Sequence, residues 1–142
     1  MKLKEFNPNK TFIIAEIGNN HEGDYQLAKK MVNLASKSGA DAVKFQTYKT
    51  SFFINKNDKK RFKKLKSFEL SYSQFKNLKK LANKLGLFFI STPFDLESAN
   101  FLTKNSDIIK IASSDNNFFK LIELVLKSKK PVIVSTGLAN IN

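Results

Sequence analysis

Apolar and polar positions alternate along the chain in two different ways. Five short runs are rich in β-branched and aromatic residues, which is typical of strands buried on both faces. These runs cover Thr11–Ile17, Ala42–Thr47, Leu87–Ser91, Ile108–Ala112 and Pro131–Ser135. Longer stretches with helical spacing separate them. The pattern therefore predicts a β-α-β-α-β-α-β-α-β order and an α/β fold with a parallel sheet covered by helices.

Residues that begin and end helices agree with this order. The apolar residues of the predicted helices run from Leu27 to Ala35, Phe75 to Leu85, Leu96 to Thr103 and Leu121 to Val125. Side chains that accept hydrogen bonds from the first N–H groups of a helix precede the first three: Asp24, then Ser71 or Ser73, then Asp95. Gly39 and Gly86 follow the first two helices and are expected to end them in a left-handed conformation.

A parallel sheet of this kind is either an open, doubly wound sheet or a closed barrel, and periodicity does not distinguish the two. The G-x-G-x-x-G motif of dinucleotide-binding folds does not follow the first strand, and the sequence has no P-loop. The length of 142 residues indicates one domain. It is well short of the roughly 250 residues of a complete (β/α)8 barrel.

The chain is strongly basic, with 25 Lys and Arg against 12 Asp and Glu, a formal net charge of +13. Its densest basic run spans residues 56–66. We expect this run to be the solvated face of a loop or helix, with anion steering as an alternative. Nucleic-acid binding is not expected, because base stacking favours aromatic side chains among the basic ones and the run offers only Phe62.

Cysteine and membrane signals point to the compartment. The chain has no cysteine, which excludes disulfides and thiolate metal sites and is compatible with a reducing cytosol. The first ten residues have no apolar segment, and the apolar run that follows is interrupted by Glu16. We therefore expect a cytoplasmic location and no interaction with a membrane.

The strands carry charged, amide or hydroxyl residues near their carboxyl ends. In chain order these are Glu16, Lys44, Gln46, Thr92, Lys110, Ser113, Asp115 and Ser135. Ligands of parallel α/β proteins bind at that edge of the sheet. Lys44 and Lys110 are the most informative, because a lysine inside an apolar strand needs an anionic partner. The set predicts a cationic site with hydroxyl donors for a phosphate or carboxylate.

Structural roles compete with these functional ones. Lys44 and Glu16 could form a structural ion pair, and Glu16 could also bind sugar hydroxyls or transfer protons. Asp115 could transfer protons or cap a helix over Asn116–Leu126. His21 lies in a polar loop after the first strand, where it orders the loop or contacts substrate. As the only histidine it cannot form a multi-histidine metal site.

The sequence resembles the sialic acid synthase family, which includes N-acetylneuraminate, legionaminic acid and pseudaminic acid synthases. The resemblance lies in IIAEIGNNHEGD (13–24), GADAVKFQTYK (39–49), ISTPFDLESANFL (90–102), IIKIASSD (108–115) and PVIVSTGLA (131–139). These motifs occur in the family's order over nearly the whole chain. The resemblance implies that residues 1–142 are the N-terminal part of a (β/α)8 TIM barrel, with about five βα units present.

The resemblance also implies a reaction. These enzymes condense phosphoenolpyruvate with an N-acylated amino sugar to give a nonulosonic acid and phosphate. A divalent metal, Mn or Mg, polarises the sugar aldehyde. The resemblance implies that the family's histidine ligands lie on later strands. We expect this chain to lack those strands and the antifreeze-like C-terminal domain. We expect a homodimer or completion by a C-terminal half.

Residue roles carry over from the resemblance by position. It implies that Lys44, Thr92, Lys110, Ser113 and Ser135 bind phosphoenolpyruvate. It also implies a contact of Glu16 with the amino sugar and a role of Asp115 in proton transfer, so that Glu16 and Asp115 are the catalytic candidates. From their positions near the ends of the first two strands, Gln46 and His21 are further substrate-binding candidates. Ser114 stands where the family often has glycine, which removes easy access to positive φ. Two alternatives are a non-catalytic fragment and another phosphate-binding barrel enzyme, such as a Schiff-base aldolase that uses a strand lysine.

Overall fold

The computed structural model describes residues 9–137. Its strands are β1 Ile14–Gly18, β2 Ala42–Thr47, β3 Phe88–Pro93, β4 Ile108–Ile111 and β5 Val132–Val134. Its α-helices are α1 Tyr25–Lys37, α2 Thr50–Phe53, α3 Lys59–Phe68, α4 Tyr72–Lys84, α5 Leu96–Asn105 and α6 Phe119–Leu126. A 3-10 turn over Ser113–Asp115 lies between β4 and α6.

The five strands form one parallel sheet in chain order, β1-β2-β3-β4-β5. A doubly wound sheet reverses its strand order at a switch point, whereas a barrel adds each strand beside the preceding one. The observed order therefore confirms the barrel-type prediction and excludes the doubly wound alternative for the described residues.

The strand boundaries differ from prediction at both ends of the sheet. β1 begins at Ile14 instead of Thr11, and β5 covers only Val132–Val134. β3 instead extends to Pro93, which brings Thr92 into the strand beside Gln46 of β2. Interior strands gain ladder hydrogen bonds from two neighbours, whereas β1 and β5 each have one neighbour among the described residues.

The two faces of the sheet have different surroundings. On the outer face, Val43, Phe45 and Phe89 pack under α1 and α4 in one buried cluster. A second outer cluster lies under α5 and α6 and contains Ile109, Ile111, Leu121 and Val125. The opposite, inner face is built on Ala42, Phe88, Ile90 and Ile108. Side chains alternate between the faces along each strand, so Lys44 and Gln46 share the inner face with Ala42.

Helix caps confirm most of the sequence-based boundaries. Asp24 accepts hydrogen bonds from the first turn of α1, and Asp95 from that of α5. The cap of α4 is Ser71 and not Ser73, in a reciprocal capping box with Gln74. Gly39 and Gly86 both have a φ of 78°, as expected for residues that end a helix.

Helices α2 and α3, between β2 and α4, were not predicted. α3 contains most of the basic run and buries no side chain, which agrees with the solvated face expected for that run. Glu69 fixes the segment: its carboxylate accepts hydrogen bonds from Thr50 N at 2.9 Å, Thr50 Oγ1 at 2.8 Å and Lys66 Nζ at 3.1 Å. Burial alone would raise the pKa of Glu69, but these hydrogen bonds outweigh it and lower that pKa.

Membrane insertion has no candidate helix in this part of the chain. Within residues 9–137, none of the helices is long and apolar enough to cross a bilayer.

Candidate functional site at the carboxyl ends of the strands

Strand register brings the predicted polar residues to one edge of the inner face. Glu16 of β1 pairs with Lys44 of β2, and Gln46 pairs with Thr92 of β3. Lys110 of β4 pairs with Ile133 of β5. Alternation along each strand directs these side chains to the same side as the apolar inner cluster. The site therefore has a layer of apolar side chains, with a layer of polar side chains next to it on the side of the carboxyl ends of the strands.

Glu16 and Lys44 form an ion pair. Lys44 Nζ lies 3.0 Å from Glu16 Oε1, and the side chain of Lys44 is 7% exposed while that of Glu16 is 58% exposed. The structural pairing considered from the sequence is thus present. Glu16 nevertheless remains open to solvent, and a carboxylate oxygen has further lone pairs for a ligand hydroxyl. Pairing and ligand binding are therefore compatible.

Lys110 lies within electrostatic reach of Lys44. Its Nζ donates a hydrogen bond to Ser135 Oγ at 2.7 Å. Burial lowers the pKa of Lys110, the positive charge of Lys44 lowers it further, and Glu16 partly opposes both. Because Ser135 Oγ already accepts from an ammonium, its own O–H is free to donate to a ligand. An anion bound here would relieve the repulsion between the two lysines.

Thr92 contributes a buried hydroxyl to the same layer. It is 1% exposed, and its Oγ1 has no hydrogen-bond partner within residues 9–137. A buried hydroxyl without a partner is unfavourable by about 1–3 kcal/mol. A ligand oxygen beside Thr92 would remove that penalty.

The turn after β4 carries Ser113 and Asp115. A helix over Asn116–Leu126 capped by Asp115 was one expectation, and it is wrong: α6 begins at Phe119, and the residue before it, Phe118, is its N-cap. Asp115 is instead the last residue of the 3-10 turn, which follows extended backbone at Ala112. Burial raises the pKa of Asp115, and a hydrogen bond from Ser114 opposes this. Its Oδ2 is buried without a partner among the described residues.

Ser113 faces the loop after β5. A Cβ placed on Gly137 would lie 3.7 Å from Ser113 Cβ, so the two loops are in contact distance at the carboxyl edge. The absence of a side chain at Gly137 keeps the space beside Ser113 open.

His21 is placed differently from the other predicted site residues. It is 0% exposed, and its ring lies 6.1 Å from that of Phe45, which belongs to the outer cluster. Its Nδ1 accepts a hydrogen bond from Gly23 N at 3.1 Å. Its Nε2 is buried without a hydrogen-bond partner in the described part of the chain, and the predicted substrate contact by His21 stays a prediction. The geometry favours its other expected role, which is to order the β1–α1 loop.

The stability of the chain is expected to depend on pH through His21. Burial lowers its pKa below 6.5, although the charge of Asp24 opposes this, so the unfolded chain takes up the proton first as pH falls. The free energy of unfolding should therefore decrease below about pH 6.5 and be unaffected by this group above it. Urea denaturation from about pH 7.5 to 5.5 measures the slope. His21→Gln should flatten it, and an equal slope in that variant would refute the assignment.

The described residues do not assemble a metal centre. Within residues 9–137 there is no group of three His, Cys, Asp or Glu side chains placed to hold an ion. His21 is buried, and its Nδ1 already accepts from Gly23 N. The divalent metal implied by the resemblance therefore does not fit these side chains by themselves.

Asn19 is a polar residue of this edge that sequence reasoning did not identify. Its Nδ2 donates to Gln46 Oε1 at 2.8 Å, and its Oδ1 is buried without a partner in the described part of the chain. The sequence signal was its position directly after Gly18, the last residue of β1.

Comparison with known proteins places this geometry in a family. The sequence profile of the NeuB family matches residues 31–142. The chain belongs to the NeuB family. The match covers more than half of the chain, including the strands that carry Lys44, Thr92 and Lys110, and Ser135 directly after β5.

Individual relatives agree with the family assignment. The chain is 50% identical over 132 residues to an uncharacterised protein of Methanocaldococcus jannaschii, covering 92% of this chain and 39% of that protein. It is 40% identical over 144 residues to the N,N'-diacetyllegionaminic acid synthase of Legionella pneumophila, covering 92% and 40% respectively. Among solved structures, the N-acetylneuraminic acid (sialic acid) synthetase of Leptospira borgpetersenii in complex with citrate is similar, with a TM-score of 0.88 and 34% identity.

The matched region is a part of these relatives. The NeuB family chain spans about two-fifths of the length of the curated relatives. The structural match covers 99% of this chain and 50% of the Leptospira chain.

Proposed function

We propose that this NeuB family chain supplies the phosphoenolpyruvate-binding half of a sialic acid synthase-type enzyme. The enzyme condenses phosphoenolpyruvate with an N-acylated amino sugar and releases phosphate. The observation that carries the proposal is the placement of Lys44 and Lys110 on the same face, within electrostatic reach and next to hydroxyl donors. The relatives named as synthases support the reaction class.

The lysines suit the anionic substrate. Phosphoenolpyruvate carries a phosphate and a carboxylate, and two ammonium groups can pair with both. The hydroxyls assigned to the same ligand are those of Thr92, Ser113 and Ser135. Thr92 Oγ1 is buried without a partner in the described residues, and Ser135 has a proton left to donate. Binding would also favour the charged form of Lys110, whose pKa is lowered by burial and by the charge of Lys44.

The remaining polar residues suit the sugar and proton transfer. Glu16 is exposed although it is paired with Lys44, and it can accept hydrogen bonds from sugar hydroxyls. Gln46 is the next residue after Lys44 on the inner face of β2. Asp115 holds a proton more readily than an ordinary aspartate, because burial raises its pKa. A carboxyl with that property can donate to an oxygen that gains negative charge.

The condensation forms one carbon–carbon bond. The C3 carbon of phosphoenolpyruvate attacks the aldehyde carbon of the open-chain sugar, and the aldehyde oxygen takes a proton. Water adds at C2 and loses a proton, after which the C2–O bond to phosphate breaks. Asp115 is the described residue to which we assign the proton given to the aldehyde oxygen.

The sheet edges support a further partner for the site. Ile13 on the β1 side is 53% exposed and Val134 of β5 is 51% exposed. Apolar residues on strand edges favour pairing with further strands. We therefore propose that the site is completed by a C-terminal half of the barrel, or by a second copy in a homodimer.

Phosphate release tests the proposed function. The chain and a C-terminal half of the barrel, supplied from a NeuB family relative, are mixed with phosphoenolpyruvate, N-acetylmannosamine and Mn²⁺, and inorganic phosphate is measured with and without sugar. Release that requires both substrates is the expected result. Calorimetry with phosphoenolpyruvate is run in parallel, since binding without turnover would favour the non-catalytic fragment. Absence of both binding and turnover would refute the proposal.

A Schiff-base aldolase is the second candidate, and Lys110 favours it. Burial and the neighbouring Lys44 lower the pKa of Lys110, which increases the neutral amine needed for attack on a carbonyl. Borohydride reduction in the presence of pyruvate distinguishes the two functions. Covalent labelling of Lys110, seen by mass spectrometry, would support the aldolase, whereas condensation without labelling supports the synthase.

A further inference from the structure

We propose that Asn19 is a positioning residue that fixes the side-chain amide of Gln46 as a hydrogen-bond donor to the amino sugar. The inference rests on the proposed function, because it names what holds one sugar-binding group in place. Asn19 does not itself touch the reacting atoms. Its effect is on the direction in which the Gln46 amide points.

Backbone geometry brings Asn19 to Gln46. The register between β1 and β2 shifts between Glu16 and Gly18, and Gly18 has a φ of 55°. A positive φ is easily adopted by glycine and turns the chain sharply. The next residue, Asn19, is thereby directed across the end of β2. There its Nδ2 lies 2.8 Å from Gln46 Oε1.

The hydrogen bond determines which end of the amide is available. Asn19 Nδ2 is a donor, so it occupies the acceptor oxygen of Gln46 and leaves the NH2 group on the other side. That NH2 group lies toward Gly18: a Cβ added to Gly18 would be 3.9 Å from Gln46 Nε2 and 3.4 Å from Glu16 Oε1. A donor and a carboxylate acceptor therefore flank the same small space.

A sugar hydroxyl matches this pair. A hydroxyl accepts from the Gln46 NH2 group and donates to the Glu16 carboxylate at the same time. If the amide were reversed, two acceptor oxygens would face the hydroxyl, and only one could receive its proton. The orientation set by Asn19 thus decides whether Gln46 helps or hinders binding of the sugar.

The amide orientation can be read directly by NMR on the full chain. The sequence has glutamine at positions 26, 46 and 74, so labelling with ¹⁵N-glutamine gives few side-chain signals. Asn19→Asp replaces the donor by an acceptor of the same shape and should turn the Gln46 amide around. The Gln46 signals should shift while those of the exposed Gln26 stay in place. Asn77→Asp on the exposed face of α4 is the matched control for the added charge.

Kinetics distinguish positioning from a simple structural role. Asn19→Asp is expected to raise the KM for N-acetylmannosamine about five- to tenfold, the effect of one lost hydrogen bond. The KM for phosphoenolpyruvate should change less than about twofold, because the lysines are untouched. Asn77→Asp should match the unaltered chain in both constants.

Three results would overturn the inference. Unshifted Gln46 signals in Asn19→Asp would show that Asn19 does not orient the amide. Equal changes in both KM values, or none, would show that it only stabilises the loop. Lack of phosphate release by the unaltered chain together with the C-terminal half would defeat the proposed function instead. In that case N-acetylmannosamine is titrated against the labelled chain, and a Gln46 response equal in the unaltered chain and Asn19→Asp would overturn the inference separately.

Discussion

Lys110→Met is expected to weaken phosphoenolpyruvate binding by about 30-fold or more. Truncating one member of a buried, hydrogen-bonded charge pair typically costs about 2–5 kcal/mol, which corresponds to this range. The variant also leaves Ser135 Oγ without the ammonium that now donates to it at 2.7 Å. Calorimetric titration with phosphoenolpyruvate measures the loss. The fold should persist, because methionine fills a similar volume on the inner face.

Lys130→Met is the matched control for this experiment. Lys130 is also partly buried, and burial lowers its pKa as it does for Lys110. It lies at the opposite end of the sheet, where its Nζ donates to Ser106 O at 2.8 Å just before β4. Lys130→Met should lower the free energy of unfolding but leave the affinity for phosphoenolpyruvate within about twofold of the unaltered chain. Equal losses of affinity in both variants would contradict an anion site at the carboxyl edge.

Gly23→Ala is expected to destabilise the fold by about 3 kcal/mol or more. Gly23 has a φ of 86°, and a Cβ there would lie 2.0 Å from Ser67 O at the end of α3. The obstacle is backbone, so relief requires α3 and the β1–α1 loop to separate. His21 loses the hydrogen bond from Gly23 N if that loop moves. The free energy of unfolding from urea denaturation measures the effect.

Gly39→Ala separates crowding from backbone strain. Gly39 has a φ of 78°, close to that of Gly23, but a Cβ there would meet nothing within 4 Å. Only the conformational penalty remains, which is about 1–2 kcal/mol for a left-handed L-residue. The two variants should therefore differ by at least about 1 kcal/mol. Equal destabilisation would mean that the contact between Gly23 and Ser67 is not close in solution.

Much of the scaffold follows from sequence because its signals are local. The apolar runs, the capping side chains of Asp24 and Asp95, and the glycines at 39 and 86 each act on neighbouring residues. Lysine within an apolar strand is equally informative, since an ammonium on a buried strand requires a partner. Once the strands are predicted to be parallel, it follows that Lys44 and Lys110 lie at the same edge of the sheet.

Features that depend on contacts distant in sequence were not predictable. His21 has the polarity of a ligand-binding residue, but packing against Phe45 buries it on the outer side. The helix α3 buries no side chain completely and is held through Glu69, which accepts a hydrogen bond from Thr50. Asn19 reaches Gln46 only because Gly18 turns the chain. None of these pairings leaves a periodic signal.

Sheet order in this NeuB family chain has a consequence for how the fold forms. Each strand pairs with the one synthesised immediately before it, so no strand has to wait for a partner from a distant part of the chain. Short separations in sequence reduce the entropy lost on closing each loop and favour rapid folding. Folding during synthesis on the ribosome can therefore proceed one βα unit at a time. The lysine of β4 joins the site only after the lysine of β2 is in position.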